Sequence, residues 1–349
     1  MRDKLANLWS RSKAVLALAE SRALVGVKGY VVFSVLLIPV LFFGTIFLID
    51  PYNYFLTKDY VNYHKKRNVA YPSDQVRWRL KKFINDPKPN LVFGTSMMNL
   101  VIDNSMFANS YGKDHANISF ASASIPEMRD AFWYAIQFVK PKSVFMNVNF
   151  NLSSSTYKTN RVTEAIQKIE DPVGYFFDQK VINVSRKIMA RELPVMKKLK
   201  LQKPPLPKGE WWERQMKKVP EMWYGKYSFS EPFFSDLAKI KSYCDENGID
   251  LFFVILPYFV DFQNKVNEYE LDGDYRRYKR ELAKISTVYD FDYENEHTLV
   301  KDKFNDPIHY KPSQTVITES IHSDVFGRVK SQRDAKLARI YGPQNLPAN

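Results

Sequence analysis

Residues 90–96, Asn-Leu-Val-Phe-Gly-Thr-Ser, join a short apolar run to a glycine and two hydroxyl side chains. The apolar run predicts a buried strand, because strands of a parallel sheet are covered on both faces. Gly94 permits a tight turn, and the residues after it can begin a helix. Ser96 would then lie at a helix start, with an exposed hydroxyl and with backbone N–H groups that can stabilise an oxyanion. The stretch therefore predicts a parallel sheet with a serine at the carboxyl end of its first strand.

Short apolar runs continue to alternate with helical patterns along the chain. Further strands are predicted at 117–120, 143–148, 249–256 and 288–291, and helices near 73–84, after Ser124, at 233–246, at 269–285 and from Pro312. This alternation predicts a flavodoxin-like three-layer α/β/α domain with a parallel sheet. We expect a linker and helix over 50–88, the domain over 89–330 with a large insertion at about 152–230, and a C-terminal tail over 331–349.

Polar side chains follow the predicted strands, at the sheet edge where ligands of such folds bind. After the last strand come Asp306 and His309, three residues apart, so that one tight loop can place the carboxylate beside the imidazole. A serine, a histidine and a carboxylate at one sheet edge are the parts of a nucleophilic triad. A single Gly-x-Ser is usually only a turn, and an Asp-x-x-His is usually a local hydrogen bond. Their order along the chain favours the triad.

The order of Gly94-Thr95-Ser96 and Asp306-Pro-Ile-His309 resembles the SGNH hydrolase superfamily over roughly residues 88–325. It is most similar to the envelope branch, which includes the alginate O-acetylation proteins and the teichoic-acid D-alanylation protein. The resemblance implies that Ser96 is the nucleophile and that its N–H also lines the oxyanion hole. It implies that His309 is the general base and that Asp306 orients it.

The same resemblance implies two further oxyanion donors. The second-block glycine of the family falls near Ser119 or Ser122, where a backbone N–H can still serve. The third block, usually Gly-x-Asn-Asp, falls on Asn147-Val-Asn-Phe-Asn151, so that Asn149 or Asn151 supplies the amide. We favour Asn149 because it is the central residue of the three. These departures from the family pattern leave open a degenerate, non-catalytic site.

Residues 29–49, GYVVFSVLLIPVLFFGTIFLI, hold no charged side chain over 21 positions. A bilayer span needs about 20 apolar residues. Residues 1–28 carry six Lys or Arg against two acidic residues, so the positive-inside rule predicts a cytoplasmic basic tail. We therefore expect a single-pass signal anchor in the inner or plasma membrane, with everything after about residue 50 outside it. A buried core helix and a cleaved signal peptide are the alternatives.

The composition points to an anionic partner. Lys and Arg number 51 against 38 Asp and Glu, a formal charge of +13, while the single Cys244 excludes an internal disulfide framework. From residue 186 to 218 there are 11 Lys or Arg against 3 Glu, including Lys197 and Lys198, and this run leads to Trp211 and Trp212. Aromatic rings stack on sugars and cations attract carboxylates, so this segment is expected to bind an anionic glycan. Solvated lysines and packed rings are the alternative.

Together these observations predict an extracytoplasmic O-acyltransferase, most simply an O-acetyltransferase, that modifies an exported polysaccharide. An esterase or deacetylase of envelope glycans and a non-catalytic polysaccharide or teichoic-acid assembly factor are the alternatives. The expected partners are the polysaccharide acceptor, membrane lipid and, by resemblance, a membrane-bound O-acyltransferase that supplies acyl groups. An exported domain makes nucleic acid an unsuitable partner. No cofactor is required, and no histidine and carboxylate spacing indicates a metal site.

Overall fold

A six-stranded, mostly parallel sheet covered by helices is the central feature of the computed structural model, which describes residues 34–55, 61–192, 208–311 and 315–347. The helices are α1 (34–49), α2 (Tyr63–Ser73), α3 (Gln75–Asn85), α4 (Ser96–Ile102), α5 (Ser105–Ser110), α6 (Ile125–Ala135), α7 (Arg161–Glu170), α8 (Gly174–Phe177), α9 (Gln179–Glu192), α10 (Lys208–Tyr224), α11 (Glu231–Glu246), α12 (Val260–Gln263), α13 (Lys265–Glu268), α14 (Asp272–Ile285) and α15 (Thr315–Ile321). The strands are β1 (Asn90–Phe93), β2 (His115–Asn117), β3 (Ser143–Asn147), β4 (Asp250–Ile255), β5 (Thr287–Asp290), β6 (Phe304–Asp306), β7 (His309–Tyr310) and β8 (Arg339–Tyr341). Short 3-10 turns lie at Phe150–Ser153 and Lys301–Lys303, and a π-helical turn lies at His322–Phe326.

The strand order is β2-β1-β3-β4-β5-β8, and the first five of these strands run parallel. An order of 2-1-3-4-5 is that of flavodoxin-like doubly wound sheets. The predicted α/β fold with a parallel sheet is therefore confirmed. In register, Leu91 lies beside Ala116 on one side and Val144 on the other. The carboxyl ends of β1 and β3 are thus neighbours, and the polar residues after them share one edge.

The sheet core follows from the sequence pattern. All four residues of β1 are buried, in agreement with its apolar run. On α6, Met128, Ala131, Phe132 and Ala135 recur at helical spacing and each is fully buried, as that spacing predicts. The start of α6 has Pro126 in its first turn, and its Glu127 accepts a hydrogen bond from the Ser124 N–H at 3.3 Å.

Within the described residues, two predicted boundaries were wrong by three residues. The strand predicted to end at residue 120 is β2, which ends at Asn117. One further hydrogen bond to β1 follows this end, from Ile118 N–H to Val92 O at 2.8 Å. Helix α14 begins at Asp272 and not at Tyr269, because Glu270 has φ +58°, a left-handed backbone that a helix cannot include. The insertion contains α7 to α10 and the predicted linker contains α2 as well as α3.

The C-terminal residues are not a tail, contrary to the expectation for 331–349. Strand β8 pairs antiparallel with β5, with Tyr341 opposite Val288, and so forms the edge of the sheet. The sequence did not predict β8 because this strand is only three residues long and includes Arg339, so it shows no apolar periodicity. The fully buried Asp324 carboxylate holds the approach to β8, because it accepts from the N–H groups of Lys336, Leu337 and Ala338 at 3.0 Å each.

Only part of the predicted anchor lies within the described residues. Residues 1–33 lie outside them, and 34–49 form α1. Within the part of the chain that is described, no helix reaches the length and apolarity that crossing a bilayer requires. The apolar side chains of α1 are largely exposed, for example Ile38 at 69%. Its last turn packs Ile46 and Ile49 against α2 and α9, in a small apolar cluster separate from the main core.

The buried Asp324 carboxylate gives a test of the C-terminal segment. We expect Asp324→Ala to lower the free energy of unfolding by about 3 kcal/mol, because three backbone N–H groups lose a charged acceptor. Asp334→Ala is the matched control, since Asp334 is exposed and accepts a side-chain hydrogen bond from Ser331. Urea unfolding measures both, and equal losses in the two variants would contradict this assignment.

Candidate active site

Ser96, His309 and Asp306 form one hydrogen-bonded chain at the carboxyl edge of the sheet. Ser96 Oγ lies 2.8 Å from His309 Nε2, although the two residues are 213 apart in sequence. On the other side of the ring, His309 Nδ1 lies 2.8 Å from Asp306 Oδ2 and 3.0 Å from Oδ1. With the carboxylate accepting from Nδ1–H, Nε2 is left to accept the Ser96 hydroxyl proton. The arrangement can therefore deprotonate a serine that is partly exposed to solvent.

Ser96 is held by the turn between β1 and α4. A Cβ at Gly94 would lie 2.5 Å from Met98 Cβ and 2.9 Å from Asn147 Cβ, so only glycine fits this close approach. Thr95 caps α4 by accepting from Met97 N–H at 3.3 Å, and its hydroxyl donates to Asn147 Oδ1 at 2.9 Å. Ser96 occupies the first helical position, where its own N–H has no acceptor in the helix.

Asp306 and His309 are held by the β6–β7 hairpin. Asp306 pairs with His309 across this two-stranded ribbon, and the two-residue turn between them contains Pro307. The N–H groups of Ile308 and His309 both donate to Asp306 Oδ1 at 3.0 Å, so the backbone orients the carboxylate before it meets the ring. Tyr310 anchors the hairpin in the core and is fully buried.

The loop from 119 to 124 separates the two second-block candidates. Ser119 is fully buried, and its N–H donates to Asn117 Oδ1 at 2.8 Å. The N–H of Ala121 donates to Gln75 Oε1 at 2.8 Å. Ser122 is exposed, and within the described residues its N–H donates to no protein group. The bonds therefore favour the Ser122 N–H over that of Ser119 as an oxyanion donor.

Ser122 also has the backbone conformation that a glycine would adopt without strain. Its φ is +54°, in the left-handed region. Arg161 holds this conformation, because its guanidinium donates to Ala121 O at 3.1 Å and to Ser122 O at 3.2 Å. The same guanidinium is bidentate to the buried Glu127, at 2.9 and 2.8 Å. One guanidinium thus joins the loop carbonyls of Ala121 and Ser122 to the Glu127 carboxylate.

Glu127 is ionised in this clamp. Burial alone would raise the pKa of its carboxyl, but the hydrogen bonds from Arg161 and Thr159 outweigh burial and leave the pKa below its ordinary value. A charged carboxylate is the state that two guanidinium bonds require. The loop that carries Ser122 therefore rests on an ion pair formed by residues from α6 and α7.

Hydrogen bonds also distinguish the asparagines after β3. Asn149 is buried and ties β3 to β4, donating to Leu256 O at 2.8 Å and accepting from Leu256 N–H at 3.2 Å. Asn151 accepts from the Tyr258 hydroxyl at 3.0 Å, and its amide nitrogen has no acceptor among the described residues. Both asparagines stay candidates for the oxyanion amide, and the hydrogen bonds favour Asn151, whose amide nitrogen donates to no group within the described residues.

Of the four predicted glycan-binding residues, the structure describes two, Trp211 and Trp212. Lys197 and Lys198 lie outside the described residues. Trp211 is 40% exposed, but Trp212 is 5% exposed and packs edge-on against Phe259 at 5.2 Å. Trp212 is thus a core residue of α10 and not an exposed stacking platform, which corrects its assignment. The reason is the amphipathic pattern of α10, which turns one of two adjacent tryptophans inward.

The sequence did not indicate Arg161 or Tyr258 as site residues. Arg161 is distant in sequence from every block, and only the fold brings it to the carbonyl of Ser122. Tyr258 follows β4, so the rule that ligands bind at the carboxyl ends of strands was a signal for it. Its hydroxyl, donating to Asn151, orients the amide nitrogen away from itself.

The positive φ of Ser122 can be tested with two variants that both lose the hydroxyl but differ in how readily they adopt that backbone conformation. We expect Ser122→Gly to change the free energy of unfolding by less than about 1 kcal/mol, and Ser122→Val to lower it by about 2 kcal/mol, because a β-branched residue resists a positive φ. Both variants lose the hydroxyl, and the position is exposed. Thermal and urea unfolding compare them, and a valine variant as stable as the glycine variant would refute the strain.

Two solved structures show a distant likeness to this chain. The chain is similar to a proposed acylhydrolase from Bacteroides fragilis, with 10% identity and a TM-score of 0.37 over 78% of this chain and 98% of that one. It is also similar to a protein from Streptococcus pneumoniae described as a proposed platelet activating factor, with 9% identity and a TM-score of 0.38 over 74% of this chain and 94% of that one. No family model and no curated protein matches the sequence. At such low identities and TM-scores these likenesses carry no argument about activity, which must come from the site itself.

Proposed function

We propose that this chain is a Ser-His-Asp acyl-transfer enzyme. The observation that carries the proposal is the 2.8 Å separation of Ser96 Oγ and His309 Nε2, with Asp306 bonded to the opposite ring nitrogen. Nucleophile, base and orienting carboxylate in this order are what covalent acyl transfer needs.

The first half-reaction loads the serine. His309 Nε2 takes the proton from Ser96 Oγ as that oxygen attacks the carbonyl carbon of an acyl ester. The tetrahedral intermediate collapses when the protonated imidazole returns the proton to the leaving alkoxide, which departs as an alcohol. Asp306 stabilises the imidazolium that exists between these two transfers. The products of this half are an acyl-Ser96 ester and a free alcohol.

We assign three N–H donors to the oxyanion of that intermediate. They are the backbone N–H groups of Ser96 and Ser122 and the amide of Asn151, none of which donates to a protein group within the described residues. Their free state is the support for these roles, because a donor already bonded to protein would have to break that bond first. Each such donor contributes about 3–4 kcal/mol to lowering the barrier.

The second half-reaction decides between transferase and hydrolase. His309 takes a proton from a sugar hydroxyl as the oxygen of that hydroxyl attacks the acyl carbon. The bond between the acyl carbon and Ser96 Oγ then breaks, and the imidazolium gives its proton to Oγ, so that a sugar ester and the free Ser96 hydroxyl result. We propose this route, an O-acetyltransferase acting on an exported polysaccharide. Hydrolysis follows if water attacks instead, and the partial exposure of Ser96 favours that second candidate, an esterase or deacetylase.

The proposed setting is the outer face of the inner or plasma membrane. The uncharged run at 29–49 and the exposed apolar side chains of α1 support a membrane anchor for the domain. Acetyl-CoA is cytoplasmic, so the donor at this location has to be supplied by a membrane partner, which we propose to be a membrane-bound O-acyltransferase. The acceptor polysaccharide is the second proposed partner.

Serine activation can be measured without knowing the substrate. We expect a fluorescent phosphonate to label the wild-type chain and to lose essentially all labelling with Ser96→Ala and His309→Ala. Ser110→Ala, at an exposed serine that ends α5, is the matched control and should be labelled as wild type. Undiminished labelling of Ser96→Ala would show that Ser96 is not the nucleophile. An unreactive wild-type chain would favour the non-catalytic assembly factor.

The fate of the acyl group separates the two enzymatic candidates. The full chain is given an acyl-ester donor with and without an oligosaccharide acceptor. The proposal expects acylated oligosaccharide whose formation depends on Ser96. Release of free acid alone, at a rate that the acceptor does not change, would assign the chain as a hydrolase.

The asparagines give a test of the oxyanion assignment. We expect Asn151→Ala to lower kcat by about 10²–10³ on an activated acetate ester. It should also lower the free energy of unfolding by about 1–3 kcal/mol, because the buried Tyr258 hydroxyl loses its acceptor. Asn149→Ala should lower stability as well, because it breaks two bonds to Leu256, but the folded variant should keep most of its kcat. Tyr258→Phe should lower kcat less than Asn151→Ala. A normal kcat for Asn151→Ala would contradict the role.

A further inference from the structure

An exposed apolar surface lies beside α1, formed by residues 173–177 and here named the α8 surface. Val173 is 68% exposed and Phe177 is 63% exposed. Large apolar side chains scattered singly over a protein are ordinary, but Phe177 adjoins α1, whose own apolar side chains are largely exposed. Phe177 contacts Phe43 of α1 at 5.5 Å between ring centroids. The two segments together form one continuous apolar surface.

The α8 surface is fixed rigidly to the base of α1. Tyr175 is buried, and its hydroxyl donates to Asp50 Oδ1 at 2.9 Å and accepts from Tyr52 N–H at 3.3 Å. Asp50 directly follows α1 and is fully buried. Phe176 adds a second ring contact to Phe43 at 5.5 Å. These contacts set the height of α8 along the axis of α1.

That height can be compared with a bilayer. Phe43 precedes Ile49, the last residue of α1, by six positions, which is about 9 Å along a helix axis. If residues 29–49 span the hydrocarbon core of about 30 Å, then Ile49 lies at its outer boundary. Phe177, beside Phe43, would then lie below that boundary. Interfacial helices bury their apolar face about 5–10 Å deep, which is the same depth.

We propose that the α8 surface inserts into the outer leaflet of the phospholipid bilayer as a second membrane contact beside the anchor. The inference rests on the membrane anchoring proposed above. Lipid is the occupant because the surface is continuous with the segment proposed to span the bilayer, at a depth where acyl chains begin. Two contact points, held together by the Tyr175–Asp50 bond, restrict the tilt of the domain over the membrane. The anchor thereby fixes an orientation as well as a location.

Site-directed spin labels on the full chain test this depth directly. The chain has one cysteine, Cys244, which is fully buried and whose thiol pKa burial raises to about 12, so introduced cysteines can be labelled selectively. Labels are placed at Phe177→Cys and Val40→Cys, the latter 65% exposed on α1. Met222→Cys, 67% exposed on α10, is the aqueous control. Thermal unfolding confirms that each variant is folded.

The chain is reconstituted in vesicles of phosphatidylethanolamine and phosphatidylglycerol, and power saturation measures collisions with oxygen and with a water-soluble nickel chelate. We expect collisions with nickel to be several-fold lower at 177 than at 222, and collisions with oxygen to be higher. A label at 40 protected from nickel while the label at 177 is as accessible as that at 222 would overturn the insertion and leave the anchor intact. A label at 40 that is also accessible would overturn both. Protection at 177 in native membranes but not in these vesicles would assign the surface to a protein partner and overturn the lipid contact.

Discussion

The hydrogen bond between Ser96 and His309 connects the turn after β1 to the β6–β7 hairpin, and the geometry of the candidate site depends on this bond. Neither residue is held by the other alone. Ser96 is placed by a glycine that no larger residue can replace, and His309 is placed by a carboxylate already bonded to its backbone. The two supports meet only because the chain folds into a doubly wound sheet whose strand ends share one edge. The chemistry of the site is thus a property of the topology.

Much of this edge could be predicted from the sequence because each buried parallel strand appears there as a run of apolar residues. The run Asn90–Phe93 and the helical spacing on α6 each reflect a large buried surface, and burial selects apolar residues at fixed intervals. Ser96 and the Asp306–His309 pair could be identified by their order after such strands. The features that the sequence did not predict show no apolar periodicity. The left-handed backbone at Glu270 and the pairing of the three-residue strand β8 depend on contacts distant in sequence.

The choice among asparagines shows a different kind of limit on sequence reasoning. Asn149 and Asn151 are the same residue type two positions apart, and placement in the sequence alone favoured Asn149, whereas the hydrogen bonds favour Asn151. The structure distinguishes them by their hydrogen bonds: the Asn149 amide donates to Leu256 O, whereas the Asn151 amide nitrogen donates to no group within the described residues. Trp211 and Trp212 pose the same problem, because a helix turns adjacent side chains to different environments. Adjacent identical residues become distinguishable only when their neighbours are known.

The burial of Cys244 has a consequence for how the chain reaches its folded state. A single thiol enclosed in the core can form no intramolecular disulfide, and in the folded state it is withdrawn from exchange with other thiols. The hydrophobic core and the hydrogen bonds must then supply the whole of the stability without covalent cross-links. Folding therefore includes no step that forms an intramolecular disulfide, and neither an oxidant nor a disulfide isomerase is needed for one.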